Sequence, residues 1–251
     1  MIRLEGVTKR YGSFTAVDGI DLAIEAGELF GFLGPNGAGK TTTLRMIVGI
    51  LRPTAGVITV GGEDILTNPM AAKAILGYIP DRPFVYDKLT GVEFLRFVAS
   101  LYGQEGNAVE RRIDELLELF ELTPWRDELT ESYSHGMRQK VIIASALVHR
   151  PKVIVVDEPM VGLDPRSAKL LKALFRQFVD RGGTILMSTH TMEVAEAMCD
   201  RIAIIQNGRI VACGTMDELR QQTQKGLSLE ELFLRLTGGE EAQELSAVLG
   251  E

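Results

Sequence analysis

The segment at residues 34–41 reads GPNGAGKT and matches the phosphate-binding pattern G-x-x-x-x-G-K-[S/T] in full. Glycines let the backbone curl so that successive N–H groups point inward, and the helix that follows adds its N-terminus to this concavity. We expect Lys40 to reach the β- and γ-phosphates of a nucleotide and the Thr41 hydroxyl to ligate a bridging Mg²⁺. The residues expected to contact the nucleotide in this loop are Asn36, Gly37, Ala38, Gly39, Lys40, Thr41 and Thr42.

A second segment, residues 153–158, reads VIVVDE, an apolar stretch that ends in two carboxylates. A strand that is apolar on both faces is typical of the centre of a parallel sheet, and such sheets bind ligands at the carboxyl ends of their strands. Asp157 is therefore expected in the Mg²⁺ shell, and Glu158 is expected to orient and deprotonate an attacking water. A solvated acidic turn is the alternative, which the phosphate loop in the same chain disfavours.

The elements that must position these residues follow from hydrophobic periodicity and from turn residues. Alternating strands and helices predict an α/β fold with a largely parallel sheet. Apolar residues at helical spacing between residues 90 and 122 predict a helical block inserted between strands, with Phe94, Leu95, Val98 and Leu101 on one face. Asn207-Gly208 predicts a hairpin. The other predicted strands cover residues 28–33, 57–60, 153–156, 184–188, 201–206 and 209–213, and the other helices cover 40–50, 136–148, 165–179 and 191–198.

Bulk properties exclude several classes of function. The 251 residues carry a net charge of -7, whereas nucleic-acid binders cluster Lys and Arg to neutralise phosphates, so no nucleic-acid partner is expected. The two cysteines, Cys199 and Cys213, form no C-x-x-C pair, which disfavours a disulfide framework or a metal centre. No targeting segment is expected, and no apolar run approaches the roughly 20 residues of a spanning helix.

The order of further motifs over residues 1–238 resembles the nucleotide-binding domains of ABC transporters. Tyr11 falls where that family has an aromatic residue that stacks on adenine, and the SHGMRQ segment at residues 134–139 falls where the family has its signature motif. The GLDP segment at residues 162–165 resembles the D-loop, which implies that Asp164 contacts a second subunit. His190 follows a strand and resembles the switch histidine, which contacts the γ-phosphate and holds Glu158 and the water.

The resemblance implies a P-loop NTPase core with a mostly parallel sheet, an N-terminal antiparallel β portion and an inserted α-helical subdomain. The core would comprise about residues 1–80 and 151–220, the helical subdomain about 83–150, and residues 239–251 a flexible acidic tail. The cofactors would be ATP and Mg²⁺, with catalytic roles for Lys40, Glu158 and His190. The nucleotide would also meet a second subunit's signature motif, Ser134, His135 and Gly136, so a homo- or heterodimer is expected.

The same resemblance implies an integral membrane permease as a partner, so that the chain is cytoplasmic and lies on the inner face of the cell membrane. A groove at about residues 81–102, with Phe84 and Tyr86, is expected to receive the permease. Residues 227–238 resemble the C-terminal helix of family members that mostly drive efflux. A soluble ABC ATPase without a permease, an importer subunit and a regulatory module without turnover remain alternatives.

Two residues depart from the family pattern. Asp81 stands where the family usually has a glutamine, and it is expected near Mg²⁺, where its charge also approaches the phosphates. His135 stands where the signature usually has its first glycine, so the site gains bulk and a possible hydrogen-bond donor. Asp81 is expected to weaken ATP binding or to change its Mg²⁺ dependence. Because Ser134 and Gly136 are retained, a working signature is expected, and a weakened site is the alternative.

Overall fold

The computed structural model describes residues 1–82, 84–160 and 163–222, and its strands alternate with helices along the chain. The strands are β1 (Ile2–Tyr11), β2 (Phe14–Ile24), β3 (Leu29–Leu33), β4 (Ala55–Val60), β5 (Glu63–Asp64), β6 (Leu76–Ile79), β7 (Val153–Asp157), β8 (Thr184–Thr189), β9 (Arg201–Gln206) and β10 (Arg209–Gly214). The helices are α1 (Lys40–Ile47), α2 (Pro69–Ala74), α3 (Gly91–Leu101), α4 (Asn107–Leu119), α5 (His135–Val148), α6 (Pro165–Asp180), α7 (Met192–Met198) and α8 (Met216–Gln222).

These strands form two sheets. The N-terminal sheet is antiparallel, with the order β2-β1-β4-β5, and the larger sheet has the order β10-β9-β3-β8-β7-β6. All neighbours in the larger sheet are parallel except the β9–β10 hairpin, whose turn residues Asn207 and Gly208 have φ of 48° and 77°. The predicted α/β class, the mostly parallel sheet, the antiparallel N-terminal portion and the hairpin are all confirmed.

The central strands β3, β7 and β8 are buried along their whole length. Their runs of Val, Ile, Leu and Phe place apolar side chains on both faces of the sheet, which suits strands whose two faces are covered by helices or by the antiparallel sheet. The register pairs Asp157 of β7 with Ser188 of β8, and Leu33 of β3 with Thr189 of β8. The segments that follow these three strands therefore meet at one edge of the sheet.

The helical block lies between β6 and β7 and comprises α3, α4 and α5. A capping box starts α3, since the Thr90 hydroxyl accepts from the Glu93 backbone N–H while the Glu93 carboxylate accepts from the Thr90 N–H. Ile113, Leu116 and Leu117 of α4 are buried, and their helical spacing is the periodicity from which the sequence predicts a helical block at residues 90–122. Leu101 is 65% exposed, so the prediction that it belongs to the buried face is wrong.

Several boundaries differ from the predicted ones. Helix α1 ends at Ile47 rather than at residue 50, because Gly49 adopts a left-handed φ of 67° that terminates the helix. Helices α2 and α8 carry too few periodic residues for a prediction from pattern. The segments at residues 227–238 and 239–251, which were predicted to be a C-terminal helix and an acidic tail, lie outside the described residues.

Other sequence expectations concern the cysteines and the membrane. Cys199 is buried, Cys213 is half-buried, and both are free thiols. Within residues 1–82, 84–160 and 163–222, no helix has the length and apolar character needed to cross a bilayer. No group of three or more His, Cys, Asp or Glu side chains that could hold a metal ion occurs in the described part of the chain.

His149 joins the helical block to the larger sheet. Its ring is buried, stacks on Tyr102 with centroids 3.6 Å apart, and approaches the Leu76 carbonyl of β6 through Nε2 at 2.9 Å. Nδ1 is buried and has no hydrogen-bond partner in the described residues. Burial lowers the pKa of His149 below its ordinary 6.5, although the bond to Leu76 opposes the shift.

We therefore expect protonation of His149 to destabilise the fold. Between the lowered folded pKa and 6.5 the unfolded chain binds the proton and the folded chain does not, so the free energy of unfolding falls as pH drops through this window. Urea titrations at pH 7.5 and 5.5 should show a smaller drop in His149→Gln than in the wild type. His135→Gln, at an exposed histidine, should keep the wild-type drop, and an equal drop in all three proteins would contradict the assignment.

Candidate functional site

The glycine-rich loop connects β3 to α1 at the carboxyl edge of the larger sheet. Gly39 has φ of 108° and immediately precedes α1, and Gly37 has φ of 80°. A Cβ atom on Gly34 would lie 2.4 Å from the Ile205 carbonyl oxygen, and one on Gly39 would lie 2.6 Å from the Ala16 carbonyl oxygen. Glycine is therefore required at both positions for the loop to pack against its neighbours and leave its concave side open.

Lys40 is the buried cation of this loop. Its Nζ donates hydrogen bonds to the Gly34 and Pro35 carbonyl oxygens at 2.7 and 3.2 Å, and it lies 3.8 Å from Glu158 Oε1. Burial lowers the pKa of Lys40, and the carboxylates of Glu158 and Asp157 oppose this shift. The ammonium group is thus positioned inside the loop, where it can meet a phosphate.

Asp157, the last residue of β7, is fully buried. Its Oδ1 accepts a hydrogen bond from the Ser188 hydroxyl, whereas Oδ2 is buried and has no hydrogen-bond partner in the described residues. Burial raises the pKa of Asp157, while hydrogen bonding from Ser188 and Thr41 favours the charged form. A buried carboxylate oxygen without a partner, beside a threonine hydroxyl, fits the oxygen ligands that Mg²⁺ prefers.

Glu158 follows Asp157 with φ of 50°, a left-handed value that is uncommon for a residue other than glycine. Its backbone N–H donates to Ser188 Oγ at 3.1 Å, which fixes the turn. The side chain is mostly buried, with Oε2 3.0 Å from His190 Nδ1 and Oε1 facing Lys40. Strained backbone of this kind often marks functional residues, because the fold holds the side chain in one direction.

A cavity of about 370 Å³ lies over these groups. At its far end Tyr11 and Phe14, which pair across the β1–β2 turn, are 49% and 63% exposed. Phe14 was not predicted, because only cross-strand pairing brings it beside Tyr11. The lining residues are Tyr11, Phe14, Ala16, Pro35, Asn36, Gly37, Gly39, Lys40, Thr41, Thr42, Asp81 and Glu158.

The residues predicted to meet the nucleotide of a second subunit, Ser134, His135, Gly136 and Asp164, do not line this cavity, and neither do Asp157 and His190. The Ser134 hydroxyl caps α5 by accepting from the Met137 N–H at 3.3 Å. The Asp164 carboxylate caps α6 by accepting from two backbone N–H groups, each at 3.0 Å. The hydrogen bond from the Ser167 hydroxyl, together with these backbone bonds, lowers the pKa of Asp164. Gly162, in the same predicted motif as Asp164, lies outside the described residues.

Sequence reasoning also missed the role of Ser188. Its hydroxyl donates to Asp157 and accepts from the Glu158 N–H, so it links the two carboxylate residues. The signal for it lies in the register of β7 and β8, which pairs Asp157 with Ser188.

Ala38, which was predicted to contact the nucleotide, is a buried residue of the glycine-rich loop and does not line the cavity.

A strand, a glycine-rich loop and a helix, with two carboxylates at the end of another parallel strand of the same sheet, define a P-loop nucleotide hydrolase. Residues 17–161 match the family model described as ABC transporter. The linearmycin resistance ATP-binding protein LnrL of Bacillus subtilis (strain 168) is 39% identical over 219 residues, which are 87% of this chain and 70% of that protein. The daunorubicin/doxorubicin resistance ATP-binding protein DrrA of Streptomyces peucetius is 39% identical over an alignment that covers 99% of this chain and 76% of that protein.

Among solved structures, the ATP-binding cassette MJ0796, a dimer in a post-hydrolysis state with ADP and Pi, has a TM-score of 0.79 and 25% identity. The match covers 86% of this chain and 99% of that one. The chain therefore belongs to the ABC transporter family. It is an ATP-binding subunit of an ABC transporter and an ATPase, as the sequence predicted.

Proposed function

We propose that the chain hydrolyses Mg²⁺-ATP as one half of a dimer and drives export through a separate membrane permease. The observation that carries the catalytic part is the position of Glu158 between Lys40 Nζ, at 3.8 Å, and His190 Nδ1, at 3.0 Å. A carboxylate fixed at the mouth of a phosphate loop can accept a proton from a water that attacks the γ-phosphate.

Each side chain has a separate task in this proposal. The N–H groups of the loop and the Lys40 ammonium bind the β- and γ-phosphates, so that Lys40 exchanges its carbonyl contacts for charged ones. The exposed rings of Tyr11 and Phe14 stack on adenine at the other end of the cavity. His190 holds the Glu158 carboxylate and donates to the γ-phosphate, and Glu158 receives the proton of the attacking water.

Mg²⁺ would be held by the Thr41 hydroxyl and by Asp157, whose Oδ2 has no protein partner among the described residues. Asp81 lines the same cavity and contributes its negative charge to the surroundings of Asp157, whose pKa it helps to raise. When bound, the ion would neutralise negative charge on the phosphates. Burial disfavours the charged form of the Asp157 carboxylate in the free chain, and a bound divalent cation would compensate this charge.

The separation of the two half-sites supports the proposed dimer. Ser134, His135, Gly136 and Asp164 do not line the cavity of their own chain, and the similar cassette MJ0796 is a dimer in its post-hydrolysis state. Helix α5 starts at His135, which is exposed and offers backbone N–H groups to an anion. We infer that the signature residues of one subunit close over the ATP held by the other subunit.

An exposed aromatic patch, formed by Phe84, Tyr86 and Phe97, supports the permease contact. Phe84 is 73% exposed, and Tyr86 packs edge-on against both Phe84 and Phe97 with centroids 5.7 and 5.4 Å apart. Large exposed apolar groups that cluster in this way typically mark protein interfaces. The patch lies in the helical subdomain of about residues 83–150, which we propose as a unit distinct from the core, and it follows Asp81 of the ATP cavity.

Export as the direction rests on the relatives, since LnrL and DrrA are both named for drug resistance. Bound to its permease, the chain would lie on the cytoplasmic face of the membrane. An importer subunit or a soluble ABC ATPase lacks this support from the names of the relatives.

The first test is steady-state ATP hydrolysis by the purified chain with Mg²⁺ over a range of protein concentrations. Turnover per subunit should rise with concentration, because two chains complete each site. Glu158→Gln should lower turnover at least about 10²-fold while ATP binding remains, since it removes the base but keeps the shape. Glu118→Gln, at an exposed glutamate of α4, should leave turnover unchanged, and equal turnover in all three proteins would refute the assignment.

Asp81→Gln should change the Mg²⁺ dependence of turnover. Loss of one charge close to the cation corresponds to about 1 kcal/mol in water-like surroundings, so half-maximal turnover should need about fivefold more Mg²⁺. Asp217→Gln, at an exposed residue of α8, is the matched control. An unchanged Mg²⁺ titration in Asp81→Gln would mean that the residue is only structural.

The permease contact is tested by cell fractionation. The tagged chain should sediment with membranes in its native cells, and Phe84→Ser with Tyr86→Ser should shift it to the supernatant while ATP turnover by the purified variant persists. Ile50→Ser with Met70→Ser removes two other exposed apolar residues and should not shift it. A wild-type chain found only in the supernatant would favour the soluble ATPase.

A further inference from the structure

A second cavity, of about 600 Å³, lies at the edge of the larger sheet opposite the ATP cavity. Its walls include Lys152, directly before β7, and Gly183, directly before β8. The candidate catalytic residues follow the other ends of the same strands. Strand β7 has five residues, which corresponds to about 17 Å. The two cavities are therefore separate sites.

This second cavity is strongly basic. Arg112 of α4, Arg150 and Lys152 of the α5–β7 connection, and Arg181 after α6 all line it, and no Asp or Glu belongs to its described lining. Arg150, Lys152 and Arg181 are exposed and form no ion pair within the described parts of the chain. The chain as a whole has a net charge of -7, so this local excess of cations does not reflect its composition.

Arg112 supplies a second observation that favours an anion at this cavity. One of its terminal nitrogens pairs with Glu115 at 3.2 Å, but its Nε is buried and has no hydrogen-bond partner among the residues described. A guanidinium nitrogen removed from water without an acceptor is unfavourable, and an anion in the cavity is one group that would supply the acceptor.

Between the cations the wall of the cavity is apolar. The Phe178 ring forms part of it, and a Cβ atom on Gly183 would lie 2.2 Å from that ring, so only glycine allows the ring to lie there. The remaining apolar lining consists of four leucines together with Met1 and Pro151; the leucines are Leu116, Leu119, Leu147 and Leu174. The cavity thus combines an anion-binding rim with a surface for a hydrocarbon or aromatic body.

We propose that this cavity binds a water-dissolved amphiphilic anion with a phosphate or carboxylate head and a hydrocarbon body. The cations receive the head, the leucines and Phe178 receive the body, and the volume falls within the usual range for small-molecule sites. A free molecule is favoured over a lipid in a bilayer, because the aromatic patch proposed to meet the permease follows β6 at the opposite edge of the sheet.

The test is calorimetric titration of the full chain with decyl phosphate, below the concentration at which it forms micelles. Decyl phosphate should bind, and more weakly as salt concentration rises, because exposed cations supply part of the attraction. Inorganic phosphate and decanol, which each carry one half of the recognised chemistry, should bind at least about tenfold more weakly.

Two pairs of variants locate the binding. Lys152→Gln with Arg181→Gln should weaken decyl phosphate binding about tenfold, as two partly exposed charge contacts together supply about 1.4 kcal/mol. Arg52→Gln with Arg111→Gln removes the same net charge from exposed positions outside the cavity and should leave binding unchanged. Leu119→Ser should also weaken binding, whereas Leu101→Ser, at another exposed leucine, should not.

Three outcomes would overturn the proposal. These are no binding by the wild-type chain, an equal loss in the cavity and control variants, and binding to phosphatidylglycerol vesicles without binding of monomeric decyl phosphate. The last result would indicate attraction to a charged membrane surface rather than a built cavity. Each variant's urea unfolding curve should match that of the wild type, so that weaker binding is not mistaken for loss of the fold.

Discussion

The buried carboxylate of Asp157 is the constraint on which the catalytic end of the structure depends. A charged group without solvent is costly unless hydrogen bonds or an opposite charge compensate it. The Ser188 hydroxyl, the Thr41 side chain and the nearby Lys40 ammonium supply part of that compensation. Since these groups come from β8 and from the first two residues of α1, the strands β7 and β8 and the start of α1 must keep their relative positions for the charge to be tolerated.

That requirement explains which parts of the site can be predicted from sequence. The phosphate loop and the acidic end of β7 are contiguous patterns whose chemistry is local, so residues 34–41 and Asp157-Glu158 were identified without a structure. Ser188 as a link between carboxylates depends on the pairing of β7 and β8, which sequence separation conceals. Phe14 as a second ring depends on the tight turn that pairs it with Tyr11. The prediction for Leu101 is wrong for a related reason. Periodicity assigns a residue to one face of a helix, but it does not show whether a packing partner covers that face as far as the last residue of the helix.

The residues that resemble the signature and the D-loop behave differently from the buried site. Ser134 and Asp164 are satisfied locally as helix caps, and they therefore hold their conformation before any second subunit arrives. In the proposed dimer such preorganisation lowers the entropic cost of closure, because the loops need not be ordered on binding. Asp81 and His135, which depart from the family pattern, alter charge and bulk where the two half-sites meet but leave these caps intact.

Strands β7 and β8 connect two binding sites with opposite electrostatic demands. The carboxyl ends concentrate acidic groups around one buried lysine, and the amino ends carry four cations around an apolar wall. Across about 17 Å the exposed cations are screened by physiological salt, whose Debye length is about 8 Å, so they contribute little to the potential at Asp157. Any influence of the basic cavity on ATP turnover must therefore pass through the packing of the rigid central strands rather than through the field of its charges.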